Sequence, residues 1–216
     1  MSRKRIRTWL FRPFDLIAGW QAMVLGVGLI AATAAVASYA GLMTDGVLDL
    51  HFGPDLPLLT LLAQGLLNWL VLSTCLLIVG LWLSRGSFRW IDLFGTQALA
   101  RWPMLAAAAY LSIPWVNAEI RQLTEDLLSK MPTDPSKVMA SSAYLLDAMW
   151  LTLISLPTLI LVIWMIWLMY HAFALSTDLK GLRAAFSFAG ALIVAIIIVE
   201  ATIFLISPDL LLAAPA

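Results

Sequence analysis

Charge is scarce in this sequence of 216 residues: Asp, Glu, Lys and Arg make up 12% of it, and 13 basic residues balance 13 acidic ones to a formal net charge of zero. A water-soluble domain spends about a quarter of its residues on charge, so this chain cannot cover its own surface with polar groups. The zero balance also excludes nucleic-acid binding through bulk positive charge. Cysteine is nearly absent. Cys75 stands alone, which removes intramolecular disulfides, CxxC redox pairs and multi-cysteine metal sites. No HExxH, GxSxG or P-loop pattern occurs, so the chain is read as a non-enzyme with no cofactor and no resident metal.

What the chain has in quantity is apolar length. Hydrophobic residues form 62% of it, and mean hydropathy is +0.93. Uncharged or nearly uncharged runs cover 16–43, 56–83, 91–116, 144–175 and 184–206, each long enough to cross a hydrocarbon core that needs roughly 20 residues of helix. The expected fold is all-α, a polytopic transmembrane bundle of about five spans, with a basic segment over 1–15, a helical outer loop over 117–142 and a short tail over 207–216. The first run follows Arg3, Lys4, Arg5 and Arg7 as a secretory signal would, but it far exceeds the ~7–15 residues of a signal core and reads as an uncleaved span. The third run is interrupted by Arg101, Pro103 and Pro114.

In the outer loop Ile120, Leu123, Leu127, Leu128 and Met131 recur at three- and four-residue spacing among Glu119, Arg121, Glu125 and Asp126, which predicts an amphipathic helix. It should stop at Met131-Pro132, with a turn through Asp134-Pro135 and a cap at Ser141 or Ser142 for the fourth span. Trp9, Trp20, Trp82, Trp90, Trp102, Trp115 and Trp150 fall near predicted span ends, as an aromatic belt requires. Gly28 with Ala32 in the first run suits close helix packing, by default within the fold.

Lysine and arginine set the orientation. Arg3, Lys4, Arg5, Arg7 and Arg12 precede the first run, Arg85 and Arg89 lie in the second loop, and Lys180 and Arg183 in the fourth; the other side has only Arg121, Lys130 and Lys137. Acidic residues run the other way, with Asp45, Asp49, Asp55, Glu119, Glu125, Asp126, Asp134 and Asp209 opposite the basic side. The amino terminus is therefore expected in the cytoplasm and the carboxyl terminus on the far side. The location is a cell (inner) membrane, or an endomembrane in a eukaryote. The bilayer itself is the first partner, with anionic lipids at the basic face; a homo-oligomer or membrane-protein partner is the second.

A few polar residues inside the runs are candidate binding groups. Arg101 is either deep in the hydrocarbon, where an arginine is costly and functional by default, or at the end of an in-plane helix from Trp90 to Trp102, snorkelling among headgroups. If deep it needs polar company, and Asn68 and Gln64 lie at matching depth. Glu200 and Asp147 sit near the outer span ends, either hydrated at the interface or lining an outer cavity. His171 reads as a polar end-residue. Asp45, Asp49, His51 and Asp55 could ligate a metal, but read as a solvated acidic hairpin.

The stretch Arg85-Gly86-Ser87-Phe88-Arg89-Trp90, through Leu93-Phe94-Gly95 to Arg101-Trp102-Pro103, resembles the loop and third span of bacterial members of the Yip family. The run from Trp164 to Leu175, with Leu179-Lys180-Gly181-Leu182-Arg183, is similar to that family's fourth span and basic loop. The resemblance implies five spans, a cytoplasmic amino terminus and a non-enzymatic role as a scaffold or partner-organising protein. Asp92-Leu93-Phe94-Gly95 lacks the proline of the eukaryotic motif, so Rab binding is not part of what it implies. The alternative is a small transporter or lipid-translocating protein with an internal polar path through Arg101, Asn68, Gln64, Glu200 and Asp147.

Overall fold

The computed structural model describes residues 8, 10–84, 88–130 and 142–206. Arg3 to Arg7, Trp9, the Arg85-Gly86-Ser87 part of the family-like stretch, Met131-Pro132, the Asp134-Pro135 turn, Lys137, the Ser141 cap and the tail 207–216 lie outside the described residues. After a short 3-10 turn at Pro13–Asp15, the chain runs through α1 (Gly19–Ala40), β1 (Leu42–Met43), β2 (His51–Phe52), α2 (Leu58–Leu83), α3 (Trp90–Leu99), α4 (Trp102–Leu111), α5 (Pro114–Lys130), α6 (Ser142–Thr177) and α7 (Gly181–Ile206). The fold is an all-α bundle. Four helices, α1, α2, α6 and α7, are long and apolar enough to cross a membrane, and the chain is a multi-pass membrane protein.

The third apolar run is not one helix. It folds as α3 and α4, ten residues each, separated at Ala100 and Arg101. Pro103 is the cause: it has no N–H to donate, and its ring excludes the carbonyl four residues back, that of Leu99, where α3 stops. Pro114 repeats the device and opens α5, so the amphipathic helix begins earlier than the expected 117. The two half-helices still cover the whole height of the bundle. Gly95 lies against Gly19, Ala98 against Gly26, and Asn117 against Ala40, to whose carbonyl it donates at 3.0 Å. The broken run is thus parallel to α1 from end to end.

Near-parallel approach of α1 and α3 depends on two glycines. A Cβ on Gly95 would sit 2.5 Å from the Gly19 carbonyl oxygen, and one on Gly26 would sit 2.5 Å from the Leu99 nitrogen. In lipid, where apolar burial drives little association, such close backbone packing is what holds helices together. Gly28 differs: nothing lies within 4 Å of its would-be Cβ, so the small-residue pair expected to pack inside the fold points out of it. Gly26→Val should destabilise the protein in detergent by about 1–3 kcal/mol through overpacking, whereas Gly28→Val should leave the unfolding midpoint of the monomer unchanged.

α3 is enclosed by the other helices. Every residue from 95 to 101 is buried. α6 runs antiparallel to it, with Gln97 Nε2 donating to the Met169 carbonyl at 2.9 Å and Tyr110 Oη to that of Ile154 at 2.7 Å. The outward faces are apolar, with Val24, Ile78, Leu81, Ile163, Ile193 and Ile197 exposed to the lipid. Exposed tryptophans mark both ends, Trp20, Trp82 and Trp90 at one and Trp115 and Trp150 at the other, as the belt predicts; Trp102, expected at a span end too, instead follows the break in the third run and packs on Trp164 at 4.5 Å. Arg89, Lys180 and Arg183 gather at the first end, while Asp45, Asp49, Asp55 and Glu119 gather at the second. We refer to them as the basic end and the acidic end.

Candidate functional site

The connection between α1 and α2 does not stay at the surface. α1 ends at Gly41, whose φ of +63° suits glycine, and Leu42 pairs antiparallel with Phe52 across the β1–β2 ladder. Between the strands the chain turns down into the bundle, burying Thr44, Gly46, Val47 and Leu50. The expectation of a solvated acidic hairpin holds for Asp49 and Asp55, which are exposed, but not for Thr44, Gly46, Val47 and Leu50, which a recess in the bundle takes in. Arg121 fastens the rim. Its Nη2 donates to the carbonyls of Ala40 and Gly41 at 3.3 and 3.2 Å, and its guanidinium stacks on Phe52 at 4.8 Å.

At the bottom of this re-entrant loop is Asn68, ten residues into α2 and 1% exposed. Its Nδ2 donates to the carbonyls of Thr44 at 2.7 Å and Gly46 at 2.9 Å. Two loop carbonyls that could not reach water are satisfied by one side chain. Next to them is Arg101, 6% exposed, which donates from Nη1 to the Val47 carbonyl at 3.5 Å. Nε and Nη2 of Arg101 and Oδ1 of Asn68 are buried without a hydrogen-bond partner among the described residues, and no described carboxylate pairs with the guanidinium. Arg101 and Asn68 line one small cavity of about 20 Å³, together with Thr33, Thr44, Gly46 and Met104.

Arg101 therefore does not snorkel. It is level with the middle of α1, between the Gly26–Ala98 contact and the Ala34–Met104 wall of the cavity. Burying an uncompensated ion costs several kcal/mol, and Arg101 sits in the break itself, where the carboxyl-terminal end of α3 and the amino-terminal end of α4 meet and their partial charges offset, so the charge there is that of the guanidinium. A positive centre is thereby held at mid-depth in the bundle.

The other expected polar residues are distributed differently. Gln64 is buried one turn before Asn68 with Oε1 unpartnered, but it does not line the cavity. Glu200 is exposed and reaches the loop from the far side, its Oε1 3.2 Å from where a Gly46 Cβ would be. Asp147 is remote from the centre. It accepts a 2.7 Å bond from Lys130 and ties α6 to α5 at the acidic end. His171 stacks on Trp167 at 4.4 Å. A residue that sequence reasoning passed over is Gln97, 1% exposed with Oε1 unpartnered. It lies with Asp92 and Thr96 on α3 and with Arg101 just beyond it, and the i, i+4 spacing of Asp92 with Thr96 and of Gln97 with Arg101 was the available signal.

Two larger clefts flank the Arg101–Asn68 centre. At the basic end, Arg89, Asp92, Thr96 and Ser176 line one of about 350 Å³ with Phe14 and Phe88. At the acidic end, Asp49, His51, Ser155 and Thr158 join Leu111, Ile120 and Val162 around one of about 470 Å³. The polar residues of α3 and the re-entrant loop occupy the space between them.

On the acidic side His51 Nδ1 lies 3.0 Å from Asp49 and 3.5 Å from Asp45. One ligand atom from each of these three residues lies within 4.8 Å of the others, a set that could hold a divalent cation; the histidine–carboxylate pairing accounts for the same geometry without one. The hydrogen bond to Asp49 holds the His51 imidazolium above its ordinary 6.5, against burial and with help from Asp45, Asp49 and Glu200. The same bond draws Asp49 below 3.8. The raised histidine stabilises the loop fully below the unfolded-state value and loses that contribution as pH rises through the folded one; the lowered aspartate contributes above its unfolded value and loses it as pH falls. The pair is complete from roughly pH 4 to 6.5. Amide exchange over 42–52, corrected for intrinsic rate, should therefore be faster at about pH 8.5 than at about pH 5.5, and His51→Gln should remove the difference.

No family model, curated protein or solved structure matches this chain, and its functional reading rests on the geometry of the bundle.

Proposed function

We propose that the protein passes a small polar solute across the membrane, in the manner of a carrier or gated channel, with the Arg101–Asn68 centre as its working site and the loop 42–52 as the plug on the acidic side. The observation that carries this reading is a helix broken at mid-depth beside a buried, uncompensated arginine, with open clefts at both ends of the bundle. Discontinuous membrane helices whose half-helix termini face a midplane site recur in transporters because irregular backbone there is tolerated only where it serves a cavity. By the positive-inside rule the basic end faces the cytoplasm of a bacterial inner membrane and attracts anionic lipid, worth roughly 1 kcal/mol for each basic residue close to the surface.

The test is light scattering from proteoliposomes challenged with potassium chloride, potassium nitrate or glycerol. The wild type should admit at least one of these faster than protein-free vesicles, and Arg101→Ala should match the protein-free rate. Rates equal to protein-free vesicles for the wild type and for a plug-weakened Asn68→Ala variant would overturn the proposal.

A second reading follows from the Yip resemblance, a non-enzymatic partner-organising protein. It is favoured by the outward stripe of Gly28, Ala31 and Ala35 on α1, all exposed, which suits a second helix. Crosslinking in native membranes that captures a reproducible oligomer or partner, lost in Gly28→Leu, supports it; monomer alone counts against it.

A further inference from the structure

We propose that the break between α3 and α4 is a binding site for one small monoanion, of halide, nitrate or formate size, held by the Nε and Nη2 donors of Arg101 at the amino-terminal end of α4. This deepens the transport proposal, since it rests on the same centre and names the class of solute.

Two observations converge. Arg101 is more than nine-tenths buried, lines the small central cavity, and has two donor nitrogens without a partner among the described residues. The cavity, about 20 Å³, exceeds the ~10–15 Å³ needed by one water-sized occupant but is far too small for a phosphodiester or a lipid headgroup. Water is the competing occupant, bridging Arg101 to Asn68 Oδ1. Water would satisfy the hydrogen bonds and leave the cation uncompensated, whereas a monoanion accepts from Arg101 Nε and Nη2 and neutralises the charge while leaving Asn68 Oδ1 unpaired. The loop completes the site from above: the Thr44 and Gly46 carbonyls, which would repel an anion, are turned onto Asn68 Nδ2.

The experiment uses the full chain in detergent, in potassium gluconate, with chloride or nitrate substituted at constant ionic strength. The wild type should show a saturable rise in unfolding temperature of about 5 °C at a hundredfold excess over the dissociation constant. Arg101→Gln should show none, Arg183→Gln should behave as wild type, and potassium sulfate should be without effect. Line broadening of the chloride-35 resonance by wild-type protein, relieved by nitrate, provides a readout that needs no folded variant. A rise that does not saturate, or that survives in Arg101→Gln, or a stability shift from phosphatidylglycerol acting through Arg101, would overturn the assignment. Saturable binding without passage in proteoliposomes would keep the site and overturn the carrier; passage of glycerol alone, without chloride binding, would do the reverse.

Discussion

Arg101→Met is expected to make the protein more stable and functionally inert. The guanidinium is buried with one long bond to the Val47 carbonyl and two donors unpartnered among the described residues. Removing an uncompensated buried charge recovers most of its desolvation cost, on the order of 3 kcal/mol, and methionine fills a similar volume with a flexible apolar chain. For a chain of this size that corresponds to a rise of about 5–10 °C in unfolding temperature. Differential scanning fluorimetry in potassium gluconate checks the first half, and the proteoliposome assay the second. A fall in stability would mean that Arg101 is a structural strut. A working site that costs stability is the pattern expected where function, not folding, keeps a residue in place.

Asn68→Leu should have the opposite effect on stability. The carbonyls of Thr44 and Gly46 would lose their shared donor inside the bundle, at about 1–3 kcal/mol for each buried group left unsatisfied. The leucine occupies the same space, so the helices α1 and α2 should stay packed while the loop is released. Amide exchange over 42–52 should accelerate by about tenfold or more, since 1.4 kcal/mol already corresponds to a factor of ten, and passage through the plugged end should rise above the wild-type rate. Unchanged exchange in the loop with a lowered unfolding temperature would place the role of Asn68 in helix packing instead.

Much of the architecture can be read from apolar run length alone, because lipid enforces helices and sets their length. The positions of α1, α2, α6 and α7 follow directly, and so does the amphipathic stripe of α5, whose Val116, Ile120 and Leu123 are the buried residues. The third run is harder because its prolines and arginine count against a span when each helix is taken alone. Only the tertiary arrangement reveals that α3 is surrounded by protein, so that polar side chains there never meet lipid. Of the candidate polar residues, Arg101 and Asn68 are brought together, since both are mid-run and face inward. Asp147 and Glu200 are not: a carboxylate near a span end can reach water or a surface lysine, and both do so. The re-entrant loop escaped notice for a different reason. Its acidic residues suggest solvent, while the register that buries Thr44, Gly46 and Val47 is set by Asn68, a residue far away in sequence.

The glycines carry a related lesson. Gly26 and Gly28 are equivalent in composition and adjacent in spacing, yet one is pressed against Leu99 and the other faces open space. Helix rotation decides between them, and rotation is fixed by partners that a single amphipathically weak helix does not disclose.

The transport proposal requires that the two clefts open to opposite sides and that the polar centre between them be closed off by the loop 42–52. Thiol labelling in intact membranes, on a Cys75→Ser background, tests it most directly, with single cysteines at Ser176 in the basic-end cleft, Ser155 in the acidic-end cleft and Met104 in the wall of the central cavity. A membrane-impermeant reagent should reach Ser176→Cys from the basic side only, Ser155→Cys from the acidic side only, and Met104→Cys from neither, until Asn68→Leu opens it from the acidic side. Labelling of 176 and 155 from the same side, or of 104 from either side with the loop intact, would contradict the account.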